Sequence, residues 1–517
     1  MSSNRIRTGL RSADFWYPVF FFAIGILACW KLNPGRAPIQ QDDQVYFYIS
    51  ERAASGIAPH ISEFDPKNAL SMMVNAVFIW FGRHIGADDL MAARTASILA
   101  VGFCSALLWI CARRIGGTRA MAHMAAVFPL LFVDFLTLAV AGAQPKIFLV
   151  LAILVWLYAA TTRRPFFLGA AATCCFLVWQ PALLMVAISP VAMFAAGERR
   201  VANLARVIAG ILVPMIFYEA YFWWHGALDE QIYQSLVFAA VHHKSRPNPA
   251  WVFRSLFGLG DSNPVRQLGL FVFCFALFAA PVALVAMRRR AWTWLAGRYD
   301  RICLILGAYA TTGFCFIDYQ GYPDRYFVLP FIAIVSAIVA GAVLSWAVGQ
   351  WSSRIPLRAP AAMPASLAKH AVPIVIVMAM LLAIPFKPYE RRSLQDQRKA
   401  AAYVGDLLRR HKTVYVVSAL HLLAMNRTSN FNYYGFYPVR IRAYLAERVK
   451  KEGPLLPLRD GRLPDVLLQS RMEFGPNRRW IERYYRPEKA SVLRRQNISM
   501  MVLRDDVSPP PATAKAF

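Results

Sequence analysis

Up to about Phe386 the chain is a succession of apolar runs broken by short charged clusters, and beyond it charges recur every few residues. In hydrocarbon no water is present to satisfy backbone N–H and C=O groups, so runs of this kind can cross only as helices. The pattern predicts a polytopic α-helical membrane protein over 1–386, followed by a small soluble α/β domain over 387–517. Apolar runs fall near 16–30, 91–111, 120–140, 146–161, 165–179, 182–197, 202–222, 267–287, 301–317, 326–348 and 371–386. Set against the roughly 20 residues a crossing needs, they make about eleven transmembrane helices, with 165–179 and 182–197 short enough to be a tilted hairpin.

Charge reports topology rather than a nucleic-acid partner. The net charge is +28, half of it in the tail, and it is scattered without a basic, aromatic-interleaved module. Arg5, Arg7 and Arg11 precede the first run, which reads as a retained signal anchor with a cytoplasmic N-terminus. Alternating sides from there puts Arg113/Arg114/Arg119, Arg163/Arg164, Arg199/Arg200, Arg288–Arg290 and Arg354/Arg358/Lys369 inside, every loop basic. The parity requires that 69–82 lie along the outer interface instead of crossing. Two long loops, 31–90 and 223–266, then face outward together with the tail. All eight cysteines sit in or at the ends of apolar runs, without CxxC spacing, so no disulfide or structural zinc is expected. In the tail, 396–411 reads as an amphipathic helix, 413–419, 465–469 and 498–503 as strands, 420–426 and 438–452 as helical pieces, and the Pro-rich end from about 507 as disordered.

Three clusters could carry chemistry on that outer face. Asp42 and Asp43 follow the first helix, on a segment where Asp42, Tyr46 and Ile49 share one helical face. Mutual repulsion and partial desolvation would raise one carboxyl and make a general base; alternatively the pair caps its helix. Asp65 and Lys67 supply a further acid and a compact cation suited to a phosphate, or are solvated loop charges. Arg325, in YPDRYFVLPF with Tyr319, Tyr322 and Tyr326, could grip a phosphate at the mouth of a span or belong to an aromatic belt. Tyr46, His60, Tyr326 and Lys244, the last beside His242 and His243, are weaker substrate-binding candidates. The apolar runs show no comparable mid-membrane charge, which argues against an ion-coupled carrier.

The first outer loop reads Asp42-Asp43-Gln44-Val45-Tyr46, then Gly56, Pro59-His60, and Phe64-Asp65-Pro66-Lys67-Asn68-Ala69-Leu70; DRYFVLPFIAI and LHLLAMNRTSNFNYYGF follow far downstream. In order and spacing these motifs resemble the GT-C superfamily of polyprenyl-phosphate-sugar-dependent glycosyltransferases, near the protein O-mannosyltransferases of family 39 and the lipid A aminoarabinose transferases. The resemblance implies a GT-C-like membrane domain and inverting transfer of a sugar from a polyprenyl phosphate to a lipid, glycan or protein acceptor. It implies Asp42 as general base, Asp43 as its acidic neighbour, Asp65 as a second carboxylate, and Lys67 and Arg325 on the donor phosphate. No cofactor is required by this chemistry, and a divalent metal is left open. Expected partners are the lipid-linked sugar, the acceptor and membrane lipid, in a bacterial inner membrane with a periplasmic tail. His60 stands in place of a Tyr, Asn68-Ala69 in place of Pro-Pro, and Gln144-Pro145 in place of Asp-Pro, which leaves sugar and acceptor unnamed. A lipid or polysaccharide transporter and a non-catalytic assembly factor on the same scaffold are the alternatives.

Overall fold

The computed structural model describes residues 12–195, 200–242, 247–256, 264–286, 295, 298–319, 321–354, 394–410, 412–431, 439–453, 455–456, 458–459, 462–470, 478–506 and 515–516. Arg5, Arg7, Arg11, Lys244, the expected span at 371–386 and most of the Pro-rich end lie outside them.

Helices α1 (Ser12–Lys31) and α4 (Asp89–Gly116) pack side by side. The Asp88 carboxylate starts α4 by accepting the Met91 amide at 3.0 Å, and Gly117, at φ +86°, ends it in a conformation that side chains resist. Its 28 residues extend about 42 Å at 1.5 Å per residue, more than the roughly 30 Å of a hydrocarbon core. Length and composition qualify three described helices to cross a membrane, 14–31, 89–116 and 201–224. The shorter apolar helices 145–161, 165–178, 180–195, 266–281 and 329–343 coincide with other expected runs.

The run expected over 120–140 as one span is instead broken. Helix α5 (Arg119–Val127) passes through a 3-10 turn at Phe128–Leu131 into α6 (Val133–Ala141), a bend of 64°. Pro129 has no N–H to continue the ladder, and Phe132 leaves the helical region at ψ 84°.

Helices α7 (Pro145–Thr161), α8 (Pro165–Val178), α9 (Leu183–Ala195) and α10 (Arg200–Trp224) follow. Where α8 meets α10 the backbones nearly touch: a Cβ on Gly169 would lie 2.1 Å from the Val207 carbonyl, and one on Gly210 would lie 2.0 Å from that of Phe166. Small residues allow this approach between membrane helices. We expect Gly210→Leu to destabilise the protein by about 3 kcal/mol or more through overpacking. The exposed control Phe217→Leu should leave the detergent unfolding midpoint nearly unchanged, since Phe217 is 73% exposed.

Ion pairs mark both ends of the bundle. At one, Asp14 pairs with Arg119 at 2.8 Å and with Arg113 at 3.8 Å, and Arg298 pairs with Asp300 at 2.6 Å. At the opposite end of α4, Asp89 meets Arg83 at 2.8 Å and Arg427 at 3.0 Å. Helices α2 (Gln41–Ala54) and α3 (Leu70–His84) lie at this second pole. One face of α3 is buried through Met72, Asn75 and Ile79, and Val77, Trp80 and Phe81 are exposed on the other.

The tail packs onto the second pole. Its helix Leu394–Arg409 precedes a four-stranded sheet of order β1-β3-β5-β4, with β1 Val414–Val417, β3 Val466–Ser470, β4 Tyr485–Glu488 and β5 Ile498–Leu503. β1 and β3 are parallel from Val414↔Val466, β3 and β5 antiparallel at Leu467↔Met501, and β2 (Leu455–Leu456) pairs with β6 (Lys515–Ala516). β4 escapes the alternation rule because Pro487 and its exposed neighbours suit only an edge. Gln397 closes a two-way amide bridge with the Ile39 backbone (2.8 and 3.0 Å), His421 Nδ1 meets Gln44 Oε1 at 2.8 Å, and the Asn430 amide donates to the Tyr48 hydroxyl at 2.7 Å. Val45, Phe47 and Ile49 of α2 share one apolar core with Val404, Leu420 and Leu423 of the tail. The tail therefore fixes the helix that carries the acid pair.

Candidate active site

Helix α2 presents Asp42 and Asp43 in its first turn, near the positive end of its dipole. Asp42 is exposed, whereas Asp43 is fully buried. Asp43 Oδ1 accepts the Gln144 amide at 3.1 Å, and Oδ2 has no hydrogen-bond partner among the described residues. Burial, and then the charge of Asp42, push the Asp43 carboxyl well above its ordinary range, against the pull of Arg94. Arg94 is itself buried and holds the loop before α2 in place, donating to the Ala37 carbonyl at 2.6 Å and to those of Pro34 and Ala141. Gly142 (φ +93°) lets the chain pass Arg94, where a Cβ would lie 2.8 Å from the arginine Cγ, and the turn it makes aims Gln144 at Asp43. The helical face read from sequence is present, but Tyr46 and Ile49 are buried along it and only Asp42 reaches the surface.

The loop after α2 is clamped by a π-helical stretch, Tyr233–Phe238. Gln234 donates to the His60 carbonyl at 2.8 Å, and its Oε1 accepts the Asp65 amide at 3.1 Å and faces His60 Nδ1 at 3.3 Å. Gln180 bonds the carbonyls of Pro66 and Ser235, both at 2.8 Å. His60 sits at φ +67°, with its ring 5.5 Å from that of Phe222. Burial pushes it down to about 4. Asp65, 1% exposed, is pushed up to about 6 by burial, with Lys67 opposing and Asp42 adding to the rise.

Lys67 donates to the Tyr46 hydroxyl and lies 4.7 Å from the centre of its ring. The Tyr46 phenol is held well above its ordinary range by burial and then by Asp42, Asp65, Asp43 and Asp324. Four carboxylates and one lysine thus act on a single hydroxyl. Asp324 brings its neighbour Arg325, on the 3-10 turn Tyr322–Phe327, to the same region. Arg325 Nη2 donates to Ser255 Oγ at 3.4 Å, and Ser255 also hydrogen-bonds the Tyr319 hydroxyl. Tyr326, 1% exposed, packs its ring edge-on to Phe135 at 5.2 Å.

Sequence reasoning missed four groups here: Gln144, Lys146, Gln234 and Asp324. Lys146 pairs with Asp324 Oδ1 at 3.0 Å and lies against the face of Trp179. Its signal was a lysine opening an otherwise apolar run, QPKIFLVLAILV. Among the described residues, no three of His, Cys, Asp and Glu are grouped as metal ligands.

The two buried groups oppose one another in pH dependence. The Asp65 carboxyl rises from 3.8 to about 6 on folding, so its contribution is fully present below 3.8 and lost as pH rises through 6. His60 falls from 6.5 to about 4, so its contribution is present above 6.5 and lost as pH falls toward 4. Relative to the native protein, Asp65→Asn should gain stability as pH rises from 4 to 7 and His60→Gln should lose it, each by at most about 3 kcal/mol. Unfolding midpoints in detergent across that window check both signs.

No family model matches the chain, and no curated protein matches it. Several solved structures are similar to it. One is ArnT from Cupriavidus metallidurans bound to undecaprenyl phosphate, at 15% identity and a TM-score of 0.49, covering 97% of this chain and 100% of that one. Another is the archaeal oligosaccharyltransferase AglB from Archaeoglobus fulgidus in complex with an inhibitory peptide and a dolichol-phosphate, at 10% identity and a TM-score of 0.49, covering 92% and 73%. Similarity of this degree assigns no role to any residue.

Proposed function

We propose that the chain is an integral-membrane glycosyltransferase that moves a sugar from a polyprenyl phosphate, such as undecaprenyl phosphate, to a lipid, glycan or protein acceptor outside the cytoplasm. Asp42, the exposed member of the pair, takes the proton as the acceptor oxygen attacks the anomeric carbon. The bond from that carbon to the phosphate oxygen breaks, and the departing phosphate keeps the electron pair, held by Lys67 and Arg325. Asp43 and Asp65 line the same pocket and set its field, while His60, held neutral by burial, positions the loop between them. Tyr326 shapes the lipid side.

One observation carries this reading: Gln144 donates to Asp43 and Lys146, two residues on, pairs with Asp324 beside Arg325, while Lys67 holds the Tyr46 hydroxyl in the turn after the acid pair. Acids able to activate an acceptor thus adjoin cations able to receive a phosphate. The gathering lies at the pole opposite Asp14, Arg113 and Arg119, and a pole of basic loop ends is the cytoplasmic one under the positive-inside rule. Site and tail then face the periplasm of a bacterial inner membrane. The tail, as a small α/β domain over 387–517, braces α2 and borders the acceptor entrance.

Mass spectrometry of surface glycans, lipid A and envelope proteins from deletion and Asp42→Asn strains tests the reading. The same single sugar should disappear from one class in both. An unchanged profile in the Asp42→Asn strain at normal protein level would instead favour a non-catalytic assembly factor.

A further inference from the structure

Lys146 is a cation in a place that disfavours one. It occupies the first turn of α7, where the helix dipole is positive, and it is 5% exposed. An ammonium carries three donors. The described surroundings give it one carboxylate oxygen, Asp324 Oδ1 at 3.0 Å, and the face of Trp179. Its Nζ is buried without a well-formed hydrogen bond. The charge of Lys67 reaches it as well, against those of Asp324 and Asp318, and its partner Asp324 sits on the turn that carries Arg325. Like charges held together in a buried region are stabilised by an anion between them.

We propose that Lys146 is a third cation for the donor phosphate, resting on Asp324 until the phosphate arrives. The inference rests on the glycosyl-transfer reading and adds to it a leaving-group contact. A polyprenyl-phosphate sugar is a phosphodiester with one negative charge. As the anomeric carbon–oxygen bond breaks, its electron pair stays on the phosphate oxygen, the acceptor proton goes to Asp42, and the phosphate becomes a monoester with a second charge. A cation whose partner in the resting state is Asp324 gains most when that second charge develops, so it favours the transition state over the bound donor.

Binding of undecaprenyl phosphate, with undecaprenol as the uncharged control, to the full chain in phosphatidylethanolamine–phosphatidylglycerol nanodiscs separates the possibilities. Lys146→Met should weaken undecaprenyl phosphate binding at least tenfold and leave undecaprenol unchanged, and Lys146→Arg should recover part of the loss. Asp324→Asn should bind as well as the native chain or better. The double variant Lys146→Met/Asp324→Asn carries no uncompensated acid and should still bind weakly. Recovery of native binding in that double variant, or an unchanged affinity in Lys146→Met, would make Lys146 a structural partner of Asp324 and overturn the inference. If the native chain shows no preference for undecaprenyl phosphate over undecaprenol, the glycosyl-transfer reading fails first and takes this contact with it.

Discussion

Asp42→Asn should slow sugar transfer by about 10²–10⁴-fold, the range for losing a positioned general base. The amide is nearly isosteric and stays exposed in the first turn of α2, so folding and lipid binding should change little. A fall in kcat with a nearly constant donor KM is therefore the expected pattern. Asp43→Asn behaves differently. It keeps an oxygen for the Gln144 amide, but it turns the partnerless Oδ2 into an NH2 donor at a fully buried position and alters the field that Asp42 works in. Its loss should include stability as well as rate, and the two variants can be told apart by their unfolding midpoints.

Arg325→Met should lower kcat/KM for a polyprenyl-phosphate sugar by about 10²–10³-fold, as removal of a donor to a developing oxyanion does. Arg325→Lys should recover little, because a lysine lacks the planar fork that meets two phosphate oxygens at once. Lys67→Met should act in the same direction and also release Tyr46, whose hydroxyl accepts from Lys67. Both cations would serve one phosphate, so the double variant should fall short of the product of the single losses. Steady-state kinetics at several donor concentrations distinguish this from two independent sites.

Residue type and local pattern made part of this architecture legible. The β-branched run around Val414–Val417 became an edge strand and the apolar Ile498–Leu503 an interior one, on either side of Val466–Ser470. The acids and cations of the loop over 31–90 stood out because few other charges interrupt the apolar runs before Phe386. What stayed hidden depends on partners distant in the chain. Gln144 finds Asp43 across 101 residues, and Gln234 reaches His60 across 174. Gln144 was visible only as a departure from the family's Asp-Pro, and Gln234 carries no local mark of a site. The 120–140 run was apolar apart from His123 and Asp134, and hydropathy does not register that Pro129 and Phe132 turn it through 64°. Lys146 was visible as a residue, yet only its approach to Asp324 at 3.0 Å ties it to the turn that carries Arg325.

The sharpest test is a cryo-EM structure of the full chain in nanodiscs with undecaprenyl phosphate added. The phosphate should lie within hydrogen-bond reach of both Lys67 Nζ and the Arg325 guanidinium, with the Asp42 carboxylate opening into the same cavity. Lipid phosphate seated instead near Arg113 and Arg119, or Asp42 and Arg325 facing separate cavities, would contradict the shared pocket and with it the transferase assignment.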